Sequence, residues 1–64
     1  MEAYQQRVID EGKELSERIA KLDAFLGTPL FSGLDPAEQF RLRTQIAVMH
    51  VYSSILEERM QNFK

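Results

Sequence analysis

Residues 35–63 read DPAEQFRLRTQIAVMHVYSSILEERMQNF, and this stretch decides the fold. Asp35 suits an N-cap, Pro36 the first helical position, and Glu38 the place from which a capping-box carboxylate folds back. Leu42, Ile46, Met49, Ser53, Leu56, Met60 and Phe63 then recur at alternating spacings of four and three. That is an unbroken heptad seam with one small polar member, Ser53. A second row, Val48, Tyr52 and Ile55, runs beside it, interrupted by Arg41, Gln45 and Arg59. Together the two rows take up roughly half of the helix circumference, more than one partner helix covers.

Working back toward the N-terminus, the connection comes first. Thr28-Pro29 repeats the cap-plus-proline signature, and Leu30-Phe31 before Gly33 fits one short helical turn. Leu30, Phe31 and Leu34 are expected to plug the closed end of a hairpin. Gly27 is a natural C-cap for the helix before it. In that first helix Tyr4, Val8, Leu15, Ile19, Leu22 and Leu26 fall on one face, with Glu11 and Gly12 where the seam would otherwise continue. The opposite face is charged, and Glu14–Arg18 and Glu17–Lys21 are favourable i,i+4 pairs. Gly12 costs up to about 1 kcal/mol against Ala inside a helix. It marks either a close approach on the seam or a tolerated wet position. The expected architecture is all-α and a single domain over residues 1–64: helix 2–26, connection 27–34, helix 36–63, folded as an antiparallel two-helix hairpin. Leu26 should lie near Leu42, Leu22 near Ile46, Ile19 near Met49 and Tyr4 near Phe63.

Sixty-four residues stand near the lower limit for a chain that folds alone. Such chains usually draw on disulfides, a metal or oligomerisation. There is no Cys, and a lone His50 builds no zinc site, so no metal or cofactor is expected and self-assembly remains. One seam buries too little, and the second row needs another protomer to cover it; a homo-oligomeric helical bundle follows, a dimer at least. A net charge of −2 favours neither DNA nor RNA, no apolar run is long enough to span a membrane, and the polar start lacks a signal-peptide core. The expected setting is a reducing cytoplasm.

Few residues carry chemistry. No acidic residue stands between Glu38 and Glu57, and within that interval Arg41, Gln45 and Tyr52 share the second row, with Arg59 one turn beyond it. Arginine forks suit phosphate, a tyrosine offers a stacking face, and a glutamine reads a base edge. At the open end Tyr4, Arg7 and Glu11 lie on one side of the first helix, with Arg59 brought within reach. The candidate ligand-binding set is therefore Tyr4, Arg7, Glu11, Gln45, Tyr52 and Arg59. A structural reading stands beside it: Tyr52 as interface core, Gln45 in a polar network, and Arg7–Glu11–Arg59 as a salt-bridge cluster. His50 sits on the polar arc with Gln39, Arg43, Ser54 and Glu57. No nucleophile–base pair, phosphate loop or metal motif occurs, so an enzyme is not expected.

The segments Tyr4-Gln5-Gln6-Arg7-Val8, Glu11-x-Lys13-x-Leu15, Lys21-Leu22-x-x-Phe25 and Leu42-x-x-Gln45-x-x-x-Met49-x-x-Tyr52-x-x-x-Leu56-x-x-Arg59 resemble a family of short phage-encoded helical proteins, the crAss-like-phage-related small proteins. The likeness covers nearly the whole chain and departs at Gly12. More distantly it is similar to the helical-hairpin sponges that phages use against CBASS and Thoeris immunity. The resemblance implies an oligomer in the host cytoplasm that sequesters a cyclic nucleotide or an ADP-ribose-derived signal between protomers without hydrolysing it. Tyr4 or Tyr52 would stack, and Arg7 and Arg59 would meet phosphate. The competing expectation is a small oligomeric module that binds and blocks a host or phage protein.

Overall fold

In the computed structural model, which describes residues 1–64, both amphipathic stretches are helices. Helix α1 spans Ala3–Leu26, a single turn α2 spans Pro29–Ser32, and α3 spans Pro36–Gln61. The long helices pack on each other as a hairpin with overall dimensions of 47 × 15 × 13 Å.

Each helix starts where the local chemistry supplies a partner for its free N–H groups. The Asp35 carboxylate accepts from the Ala37 N–H at 3.1 Å, and Pro36 takes the first helical position. Glu38 does not fold back as a capping-box member. It accepts instead from Arg41 Nε at 2.7 Å, one turn along, because a guanidinium competes better for a carboxylate than a solvated N–H does. The reach-back appears on α1, where the Glu2 N–H donates to Gln5 Oε1 at 2.9 Å. Thr28 caps α2 by accepting from the Phe31 N–H, while its own hydroxyl donates to the Phe25 carbonyl at 2.6 Å. Gly27 ends α1 at an ordinary negative φ of −90°, so no left-handed residue is needed there. Helix α3 stops at Gln61 and not at residue 63; Asn62 forms its C-cap.

The inner seam of α3 matches its sequence pattern residue for residue. Leu56 is buried at 1% exposure, and Leu42, Ile46, Met49, Ser53, Met60 and Phe63 are half-buried. Val8 and Leu15 of α1 complete the core with Leu56, and Ile19, Met49, Met60 and Phe63 pack against it. Tyr4 meets Phe63 edge-to-face at 6.0 Å between ring centroids, closing the open end as expected. Gly12 does mark a close approach: a Cβ built there would lie 3.3 Å from the Met60 methyl.

The closed end differs in one respect. Phe31 is buried at 2% exposure and stands edge-on to Phe25, but Leu30 points outward at 75% exposure. A single helical turn directs only one of two adjacent side chains inward. The Arg43 guanidinium lies 5.0 Å from the Phe31 ring centre, and Gln39 Nε2 donates to the Leu34 and Ser32 carbonyls at 2.8 and 3.1 Å. Two α3 side chains expected only to face solvent thus latch the connection onto the hairpin. The surface pairs Glu14–Arg18 and Glu17–Lys21 do not close; Arg41–Glu38 is the one ion pair within 4 Å. Fully solvated charges gain little from contact.

Candidate functional site

Only five of 64 side chains are buried, and one of those is Gln5. Much of the apolar surface left over lies on α3. Val48 and Val51 are each 61% exposed and Ile55 is 49% exposed, with Phe40 and Tyr52 also outward. Val51 and Phe40 extend the row read from the sequence as Val48, Tyr52 and Ile55. The signal was present, since Val51 stands three residues from Val48 and four from Ile55.

All six candidate residues, Tyr4, Arg7, Glu11, Gln45, Tyr52 and Arg59, are exposed. Their spacing gives them one side of the hairpin. Tyr4, Arg7 and Glu11 follow at three and four residues on α1, while Gln45, Tyr52 and Arg59 follow at seven and seven on α3. Phe63 continues that α3 edge four residues past Arg59, and the Tyr4–Phe63 contact joins the two rows. The result is an open band, with no enclosed cavity uniting it. Gln45 and Arg59 stand roughly 20 Å apart along the helix at 1.5 Å per residue. Glu11 pairs with neither Arg7 nor Arg59 within 4 Å, so no salt-bridge cluster forms at the open end. With Arg on the N-terminal side of Glu, the i,i+4 order on α1 is the less favourable one. Gln45 reaches only the Met49 sulfur, at 3.9 Å.

The structure does contain a groove, on the other flank. It is an open trough of about 510 Å³ lined by Ile9, Gly12, Lys13, Ser16, Glu17, Ser53, Glu57 and Met60. Gly12, Ser16 and Ser53 create it by leaving the helix interface thin. Its lining carries one cation, Lys13, against two carboxylates, Glu17 and Glu57, so the charge balance is wrong for an anion. None of the six candidates lines it. His50 is exposed on the polar side, where its carbonyl accepts from the Ser54 hydroxyl at 3.1 Å. No group of three or more His, Cys, Asp or Glu is gathered as metal ligands require, and no helix is long and apolar enough to cross a membrane.

What this side of the hairpin can do follows from its chemistry. Two phenol rings, two guanidiniums and an amide, with the Glu11 carboxylate offsetting one positive charge, provide stacking faces and phosphate forks. Comparison with known proteins finds a relative of the same length. A family model described as Sequestin matches residues 2–62. An uncharacterized 7.5 kDa protein in the denB-rIIB intergenic region of Enterobacteria phage T4 is 38% identical over 64 residues, covering the whole of both chains. No solved structure matches.

Proposed function

The chain belongs to the Sequestin family of short phage proteins, and from that premise we propose that it is a phage anti-defence protein, a non-catalytic sponge. It sequesters a cyclic nucleotide or an ADP-ribose-derived immune signal in the host cytoplasm, held between protomers of a homo-oligomer. More finely, we place it with the crAss-like-phage-related small proteins and the hairpin sponges of CBASS and Thoeris evasion.

One observation carries the reading: Tyr4, Arg7, Tyr52 and Arg59 share one exposed side of a hairpin whose α3 also leaves an apolar row uncovered. A lone hairpin offers the anion a flat band. A second protomer laid along the apolar row would supply the opposing wall, excluding water so that each guanidinium–phosphate contact gains strength. The family description agrees with sequestration and leaves the ligand to be identified.

A panel of cyclic dinucleotides, cyclic trinucleotides and cyclic ADP-ribose isomers, scored by thermal shift and calorimetry, tests the proposal. The signal that fits should raise the melting temperature, because a ligand of the native state stabilises it by mass action. Silence across the panel at about 100 µM rejects it. The exposed apolar row also favours a second reading, a module that binds and blocks a host or phage protein. Retrieval of one stoichiometric partner that protects Val48 and Val51 from solvent, with no nucleotide bound, would establish that reading instead.

A further inference from the structure

The outer face of α3 carries a second heptad. Arg41, Thr44, Val48, Val51, Ile55 and Glu58 follow at spacings of three, four, three, four and three. The three aliphatic members are all about half exposed or more in the hairpin. A sustained 3.5-residue period is the pattern of a helix that packs lengthwise on another helix. α1 already occupies the inner seam, so this one is unfilled.

The order of charges along the seam identifies what fills it. In an antiparallel pair of α3 helices, with a twofold axis midway between Val48 and Val51, Thr44 meets the partner's Ile55 and Val48 meets the partner's Val51. Arg41 meets the partner's Glu58 at both ends. On the flank beside the seam, Glu38 falls two residues, about 3 Å, from the level of the partner's Arg59, and Gln45 the same from the partner's Tyr52. Both charged seam positions then face an opposite charge, and Arg41, already bonded to Glu38 at 2.7 Å, links the seam pair to the flank. A parallel pair would instead stack Arg41 on Arg41 and Glu58 on Glu58, which is repulsive.

We propose that two hairpins clasp through this outer seam, α3 antiparallel to α3, forming a twofold-symmetric four-helix particle. Gln45 and Tyr52, separated along one helix, then become neighbours across the axis, so the candidate band is incomplete without the partner copy. The pairing deepens the self-assembly on which the proposed function rests.

The test reads assembly with no nucleotide present. Sedimentation at about 100 µM should give twice the 7.4 kDa chain mass. Glu58→Arg should weaken association at least tenfold, and adding Arg41→Glu should restore it, while helix content by circular dichroism stays constant in all three. Spin labels on Gln61→Cys should lie about 35 Å apart at 1.5 Å of rise per residue, against about 10 Å for parallel helices. A monomeric wild type, failure of the charge swap to rescue, or the short label distance would each overturn the pairing. A protein that pairs in this way yet gives no thermal shift with any nucleotide keeps the pairing and loses the sponge.

Discussion

The two long helices have similar lengths, 24 and 26 residues, and opposite designs. α1 puts its apolar residues on one face and charges on the other, so a single neighbour satisfies it. α3 is apolar on two faces, and α1 covers only the inner one. Adjacent residues show the contrast most sharply: Leu56 is 1% exposed and Ile55 is 49% exposed. A sequence that spends Val48, Val51 and Ile55 on an uncovered face gives up solubility unless something lies on that face. α1 is satisfied within the protomer, whereas α3 leaves one apolar face open to solvent.

Breaking the comparison at its strongest point means treating those neighbours alike. Leu56→Ala should cost about 2–5 kcal/mol, the range for emptying a packed leucine site, and melt the hairpin at any protein concentration. Ile55→Ala should leave dilute protein almost unchanged, while lowering the melting temperature at high concentration if the proposed pairing engages this face. Equal effects of the two, measured by thermal denaturation over a concentration series, would erase the distinction between the faces.

The helix starts offer a smaller contrast. Asp35→Ala removes the acceptor for the Ala37 N–H and should cost about 1 kcal/mol. Chemical denaturation would show this as a lower midpoint with an unchanged slope. Smallest of all is Gly12→Ala on α1. The new methyl meets only the flexible end of Met60 at 3.3 Å, so a helix-propensity gain of up to about 1 kcal/mol should outweigh the crowding. The expected result is a melting temperature raised by a few degrees; a fall would mean that Met60 cannot move aside.

Most of the fold was legible because heptad spacing is a local property. The inner seam from Leu42 to Phe63 could be read from sequence, and every member is at least half-buried. The latch at the closed end was not legible. Arg43 over Phe31 and Gln39 on the Leu34 carbonyl depend on how the connection folds back, which no periodicity encodes. Leu30 faces outward for a different reason: one helical turn directs only one of two adjacent side chains inward, and Phe31 takes that place. The outer heptad is legible only in part, because Tyr52, beside Val51, offers an alternative row through Val48 and Ile55 at equally helical spacings. Of the candidate band, the residue types and their shared side followed from spacing. The groove beside Gly12 did not, since small residues create space only when two helices are set side by side.

The fastening of the connection has a mechanical consequence. Phe31, Arg43 and Gln39 hold one extremity of the rod, whereas the other ends on the Tyr4–Phe63 contact with the Val8–Leu56 core just inside it. Fraying should therefore start outside that core, with amide deuteration advancing from both chain ends as far as Val8 and Leu56 before the hairpin opens as a whole. A bulky affinity tag fused after Lys64 would load the Tyr4–Phe63 extremity, so a probe carried on the outward-facing Leu30 side chain, as Leu30→Cys, is the gentler handle.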